Sequence, residues 1–441
     1  MMKTLDKDAI RHLVEEEDIE FIRLQFVDLS GGLKNIAVTR KQLDALLEGK
    51  ISLDGAYYDS ENASLRLVPD LSTFAIFPWR PQTGKVAGFM CDLYGSDGNP
   101  VETDSRNILK WIIEDIRVRF RSDLTISPKI EFFLFDMDEN GRPAVTTDES
   151  AGLMDVSPLD TGENARRDII LTLEEMGFDI RASYHEKASG QHQIDLAGGN
   201  AMHAADEIGI FKMVSKIIAK RHGKHATFLP KPRVDVEGSG MHLLIRIPHG
   251  AGSKFEDSSS ENGLSDFGMC FLSGIIDHLP AISAITNPLV NSYKRLSGDF
   301  KVPVYKGWSF DSDEAAVKVV KDAEGVMCLE LCFPDATANP YLALAVCLGA
   351  GVDGFLNKTE YAPYIPAAKK KLDRDELEAL GIGRMPENLG EAIEALKKDE
   401  FVKNVIGKQI ADRIIEERQS EWRDYLKSVS TWEIEKYLYR Y

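Results

Sequence analysis

The sequence predicts an α+β protein in two unequal parts, and three observations carry that expectation. The first ~95 residues read mostly as short strands around one early helix. A polar, turn-rich segment, GSDGNPVETDS at 95–105, then interrupts the pattern. Beyond it, amphipathic helices alternate with short strands. The division is therefore drawn at residues 1–103 and 104–441.

The elements follow in order. Asp6 or Thr4 can cap a short helix that ends near Glu17. EFIRLQFVD (20–28), the turn Ser30-Gly31-Gly32 and LKNIAVT (33–39) read as a hairpin. Residues 40–48 read as helix, and strands recur at 64–68 and in KVAGFMCDLY (85–94). In the larger part, helices are expected at 105–121, 163–177, 202–222, 262–280 and 339–356. Ile169, Leu173 and Met176 give the second of these its i, i+4, i+7 stripe. Strands are expected at 128–136, 179–185, 191–196, 241–247, 315–320 and 326–333. From 387 onward the chain reads as charged amphipathic helix.

Bulk properties exclude several function classes. A formal net charge of −18 over 441 residues argues against nucleic acid and against anionic membranes as partners. No uninterrupted apolar run approaches the ~20 residues of a transmembrane helix, and the first residues carry no signal-peptide pattern. Five scattered cysteines fit free thiols in a reducing, cytoplasmic setting.

Several strands have one polar face. In KIEFFLFD (129–136), Lys129, Glu131, Phe133 and Phe135 point to one side. GMHLLIRI sets His242 opposite Met241 and Leu243, and VMCLELCF sets Cys328, Glu330 and Cys332 opposite Leu329 and Leu331. QHQIDL aligns Gln191, Gln193 and Asp195, and Glu186 follows His185 at the end of another strand. A sheet of these strands would gather Glu131, Glu186, His242 and Glu330 in one cleft. Any one such glutamate is more often solvent-facing. Cys328, Cys332 and His242 also raise a zinc site, although their spacing lacks the tight pairs of strong zinc signatures.

The segments ENARRDIILTLEEMGF (163–178), HGKHATFLPKP (222–232), GSGMH (238–242), TNPLVNSYKRL (286–296) and DATANPYLALAVCLGAGVDG (335–354) carry a family resemblance. With EFIRLQFVDLSGGLKNIAV at the start and WEIEKYLYRY at the end, the chain resembles the type I glutamine synthetases of short bacterial and archaeal form. The resemblance implies an N-terminal β-grasp domain and a C-terminal catalytic-type α/β domain with an antiparallel sheet lining the site. It implies a homo-oligomer, a dodecamer of two hexameric rings, with the C-terminal helix reaching into the opposite ring. It further implies ligation of glutamate and ammonia with ATP through γ-glutamyl phosphate. Mg or Mn would be held by glutamates and one histidine.

Residue by residue, the resemblance assigns Glu131, Glu186, His242 and Glu330 to the metals, Asp54 to the ammonium site and Arg295 to the substrate side. Other positions depart from the family pattern. Lys129 and Gln193 stand where metal-ligand glutamates are expected. Asp313, Lys318, Cys328 and Cys332 stand where arginines are expected. Lys301 replaces the flap glutamate, Glu237 a substrate-binding asparagine and Leu244 a histidine, and the serine-rich loop after Asp54 is shortened.

Charge decides what these departures predict. Three carboxylates and one lysine remain where the family gathers five carboxylates, so binding of a hard divalent cation is expected to weaken. Phosphoryl transfer relies on cations and arginines, so ATP binding is doubtful and the ligase activity is expected to be weak or absent. The expected identity is a catalytically degraded homologue with a regulatory, assembly or ligand-binding role, one form of which co-assembles with an active synthetase. The alternative is an active ATP-dependent glutamate–ammonia or glutamate–amine ligase. A small-molecule sensor is a third reading, which Glu237 disfavours because it would repel a substrate carboxylate. Lys129 is expected to bridge Glu131 and Glu330 as a substitute for a metal ion.

Overall fold

The computed structural model describes residues 5–58, 64–80, 83–147, 149–297, 302–367, 372 and 374–441. Lys301 and most of the loop after Asp54 lie outside the described residues. The strands are β1 (Ile19–Val27), β2 (Leu33–Thr39), β3 (Ile51–Asp54), β4 (Ser64–Pro69), β5 (Ala75–Ile76), β6 (Lys85–Gly95), β7 (Thr125–Asp136), β8 (Ile180–His185), β9 (Gln191–Leu196), β10 (Gly199–Asn200), β11 (Lys224–Thr227), β12 (Met241–Arg246), β13 (Pro248–His249), β14 (Gly252–Ser253), β15 (Tyr305–Ser309), β16 (Ala315–Lys321), β17 (Met327–Leu331) and β18 (Gly383–Arg384). The helices are α1 (Lys7–Glu16), α2 (Leu43–Leu47), α3 (Ser105–Phe120), α4 (Glu163–Glu175), α5 (Ala201–Arg221), α6 (Asp266–Thr286), α7 (Val290–Leu296), α8 (Pro340–Asn357), α9 (Arg374–Ala379), α10 (Leu389–Lys398), α11 (Glu400–Ile406), α12 (Lys408–Lys427) and α13 (Thr431–Tyr437).

Asp6 caps α1 by accepting the Ala9 N–H at 2.8 Å. β1 and β2 form the expected hairpin, with Val27 opposite Leu33. Gly31 supplies the positive φ of +83° that its turn requires. The first sheet has six strands in the order β2-β1-β6-β4-β3, with β5 beside β6, and β1 runs parallel to β6. Its alternating residues Ile22, Leu24, Leu65, Leu67, Phe89 and Leu93 bury a core of their own against Ile10 of α1.

The second sheet has ten strands, in the order β18-β15-β16-β17-β12-β7-β9-β8, with β10 and β11 also paired to β7. Every pair is antiparallel except β15 with β16. Leu243, Leu329, Leu331 and Ile130 join α3, α5, α6 and α8 in the large core, which leaves the other face of these strands for polar groups.

α6 runs six residues past the expected end at 280, because Pro280 lies inside the helix without stopping it. The helix starts at the Ser265 cap, whose Oγ accepts the Gly268 N–H at 3.0 Å. α6 and α8 are long and apolar enough to cross a membrane by length and composition, contrary to the expectation from apolar runs. The 18-residue windows are 83% and 78% buried inside the protein, and a Cβ on Gly274 would come within 2.6 Å of Gly354 Cα. They are core helices in tight mutual contact. β15 escaped the sequence reading because YKGWS mixes lysine and glycine into a five-residue strand.

One buried cation on α3 ties the first sheet to α5. Arg106, 2% exposed, donates to Asp70 and to both oxygens of Asp206, with Nη2 at 2.8 Å from each acid, and it also contacts Asp92. Tyr341 Oη donates to the same Asp206 at 2.5 Å.

Candidate functional site

The polar faces of β7, β9, β12 and β17 do meet. They line a cleft of about 300 Å³ that contains Lys129, Glu131, Glu186, Gln193, His242 and Glu330. Alternation along each strand turns these side chains away from the helical layer. Strand order then sets the neighbours: His242 stands opposite Lys129, and Lys318 opposite Glu330.

Glu330 is the centre of the charged cluster, with a side chain only 7% exposed. Lys129 Nζ donates to its Oε1 at 3.0 Å, and His242 Nδ1 lies 3.0 Å from the same oxygen. Burial opposes ionisation of Glu330, but His242 and then Lys129 hold its pKa well below the usual carboxylate range. The expected bridge from Lys129 to Glu131 is not formed. Glu131 instead accepts the Gly240 N–H at 2.6 Å through Oε2. The reason is the sheet: Glu330 reaches Lys129 from across the strand, whereas Glu131 is tied to the loop before His242.

Glu131 and Glu186 form a second subsite. Burial, and then the charge of Glu131, push the Glu186 pKa up to about 7. Two carboxylates that repel each other in this way could hold a divalent cation. The donor set around Glu330 does not fit a hard cation in the same way, because an ammonium already pairs with its carboxylate. Gln193, at the expected glutamate position, donates through Nε2 to Asp195 at 2.6 Å and to the Tyr184 hydroxyl.

On the expected phosphate side, Lys318 Nζ pairs with Asp313 Oδ1 at 2.5 Å, so the two replacements occupy each other. Glu237 and Cys332 also line the cleft. Cys328 does not belong with them: its Sγ lies 3.7 Å from Asp322 Oδ2. The zinc trio Cys328, Cys332 and His242 is therefore corrected to His242, Glu330 and Cys332, whose ligand atoms all lie within 4.8 Å of one another. Arg295 borders the cleft, yet its terminal nitrogens donate to the backbone carbonyls of Cys332, Phe333 and Pro334. Asp54 stands apart from the cleft of its own chain, at the end of β3, where it accepts the Ala56 N–H at 2.9 Å.

A buried network behind Glu186 was missed by the sequence reading. His185 Nε2 lies 2.7 Å from Glu149 Oε1, and its Nδ1 lies 2.6 Å from the Glu186 carbonyl oxygen. Arg166 donates to Asp160 at 2.7 Å and to His192 Nδ1 at 2.7 Å. Burial opposes the charge on Glu149, but His185 holds its pKa down to about 2. The two histidines flanking Glu186 in HEKASGQHQ were the available signal.

Comparison with known proteins agrees with this architecture. The family model "Glutamine synthetase, beta-Grasp domain" matches residues 18–96, and "Glutamine synthetase, catalytic domain" matches residues 102–437. A glutamine synthetase of Clostridium saccharobutylicum is 42% identical over 444 residues, covering all of both chains. One of Staphylococcus aureus (strain MW2) is 40% identical over 443 residues, covering 100% of this chain and 99% of the relative. A GmaS/ADP complex superposes with a TM-score of 0.83 at 26% identity, over 99% of this chain and 100% of that one. The cryoEM structure of Plasmodium falciparum glutamine synthetase has the same fold, with a TM-score of 0.86 at 21% identity over 98% and 99% of the two chains. An N-terminal β-grasp domain, a C-terminal catalytic domain and relatives alike from end to end leave one conclusion: the chain belongs to the glutamine synthetase family.

Proposed function

We propose that this chain is a glutamine synthetase homologue whose ATP-dependent ligase activity is weak or absent, and which acts through its assembly or by binding a ligand. The observation that carries the reading is the Lys129 ammonium 3.0 Å from Glu330 Oε1. An ammonium matches one unit of a metal ion's charge but accepts no lone pair, so it offers no Lewis acidity to a phosphoryl group. Asp313 neutralises Lys318 on the expected phosphate side, where the transition state needs positive charge. Mg or Mn, which the family uses, would keep only the Glu131 and Glu186 subsite.

A second reading, an active glutamate–ammonia or glutamate–amine ligase, is favoured by full-length relatives named glutamine synthetase at 40–42% identity. In that reading Glu131, Glu186, His242 and Glu330 hold metal, while Asp54 and Arg295 serve the amine and the substrate. Titrating the purified oligomer calorimetrically with Mg-ATP, with and without glutamate, separates the two. Phosphate release in the presence of ammonium and a panel of amines is measured in parallel. No saturable heat and no phosphate release are expected; turnover would establish the ligase.

Assembly completes the proposal. The working division stays at residues 103 and 104, and the working oligomer is a dodecamer, alone or mixed with an active synthetase. α13 and the residues after it support a partner-seeking end, because Trp432, Ile434, Leu438, Tyr439 and Tyr441 are exposed. Removing residues 429–441 is expected to lower the oligomer mass in light scattering, and an unchanged mass would remove this support.

A further inference from the structure

A cavity separate from the cleft lies between the two domains. It holds about 390 Å³ and shares no lining residue with the cleft. Lys212, Met213 and Lys216 of α5 line it from the C-terminal domain, together with Phe228 just after β11, and Gln25 of β1 and Asn35 of β2 line it from the N-terminal domain. We infer that this cavity binds a small organic dianion, a dicarboxylate or a phosphate monoester, whose acidic groups meet Lys212 and Lys216. The site is independent of the cleft, and the inference stands whether or not any ligase turnover survives.

Charge selects the ligand. Among the described residues no carboxylate lines the cavity. Lys212 and Lys216 are four residues apart on α5, which puts both ammoniums on one face. Among the described residues neither has a carboxylate partner. Lys212 Nζ donates to the Ala336 carbonyl oxygen at 3.0 Å, which leaves the other donors of its ammonium open. Lys216 Nζ lies 5.8 Å from the centre of the Phe228 ring. The acids that attract Lys212 are engaged elsewhere. Asp28 accepts the Gly32 N–H at 2.7 Å and pairs with Lys34 at 3.2 Å, and Asp335 accepts from Asn287 and Thr337. A dianion between the two lysines would match both charges.

The neutral groups favour an organic ligand over a bare ion. Gln25 is 2% exposed, yet among the described residues its Nε2 has only the Met213 sulfur, a weak acceptor 3.7 Å away. A carboxylate or phosphate oxygen would satisfy this buried amide. Met213 and Phe228 supply an apolar wall for the ligand's body, and the volume is of the size that small-molecule sites occupy. Gly209, one turn before Met213 on α5, keeps the space open, because a Cβ added there would meet no other atom within 4 Å. Burial, and then Lys216, push the Lys212 pKa down to about 8, against the opposite pull of Asp335 and Asp28. Lys212 is therefore charged at pH 7 and mostly neutral at pH 9, so the dianion should bind more weakly at the higher pH.

The test titrates the intact oligomer calorimetrically with succinate, with phenyl phosphate and, as an uncharged control, with phenol. Expected is saturable binding of at least one of the two dianions, with a Kd below about 1 mM and about tenfold weaker at pH 9 than at pH 7. Tighter succinate would identify a dicarboxylate site, and tighter phenyl phosphate a phosphate-ester site. Gly209→Leu should fill the cavity and abolish binding, and leucine is the better helix former of the two residues. Lys216→Gln, at an exposed position, should weaken binding roughly tenfold, the loss of one charge-assisted contact, and it serves should Gly209→Leu fail to fold. Binding of neither dianion, equal binding of phenol, or binding that both variants leave unchanged overturns the site. Mg-ATP turnover would instead sink the proposed function and leave this result standing.

Discussion

Lys129→Glu restores a carboxylate where an ammonium now pairs with Glu330, and its effect can be worked from the geometry. A unit charge about 4 Å from another contributes ~4 kcal/mol at an effective dielectric near 20. Halving this for a side chain that is 29% exposed leaves ~2 kcal/mol per unit of charge. The substitution changes the local charge by two units, which gives ~4 kcal/mol for each unit of cation charge, so at least roughly a thousandfold in divalent-cation affinity. Without metal the same change sets two carboxylates against each other beside Glu330. The variant should therefore lose roughly 2–3 kcal/mol in chelator and recover it with manganese. Calorimetric titration of manganese into the wild type and the variant measures the first effect, and denaturant melts with and without metal measure the second. Equal manganese affinity in the two proteins would refute the assignment of Lys129 as the cation at Glu330.

Other perturbations test the scaffold. Arg106→Met strands Asp70, Asp92 and Asp206 without their cation and should cost about 3–5 kcal/mol in urea unfolding; a loss below about 1 kcal/mol would contradict the network. Gly198→Ala would place a Cβ 1.8 Å from the Ile126 carbonyl oxygen at a φ of +70°, so a loss of about 3 kcal/mol or more is expected, read as a lowered melting temperature. His278 gives the fold a pH dependence. Burial lowers its pKa, but Asp399 at 2.7 Å and Asp353 at 3.3 Å outweigh this and raise it above its ordinary value. A raised native pKa means the contribution is full below the ordinary histidine range and fades as pH rises through the native value. His278→Asn should therefore cost on the order of 1 kcal/mol at pH 5.5 and less at pH 9, and an equal loss at both would show that the ion pairs contribute nothing.

Much of the fold was legible because its signals are local. The period of two in β7, β12 and β17 follows from strand stereochemistry, and one face had to meet the helices. That alone put Glu131, His242 and Glu330 on the polar face. α6 continues past the expected end at 280 because Pro280 removes only one helical hydrogen bond, and burial of α6 among α3, α8 and α10 outweighs that loss. The two histidines beside Glu186 were visible, but Glu149 as the partner of His185 was not, because 36 residues separate the two and neither carries a periodic signature.

The sequence by itself determined the family, the two-domain fold and the polar strand faces that carry Glu131, His242 and Glu330, since each depends on patterns within short segments. Only the tertiary structure decided the pairings: Lys129 with Glu330 rather than Glu131, Cys332 rather than Cys328 beside His242, and Arg295 turned onto backbone carbonyls. Those choices depend on which strands lie side by side and how far each side chain reaches across them. They are set by packing of the whole chain, which no alternation within a single strand encodes.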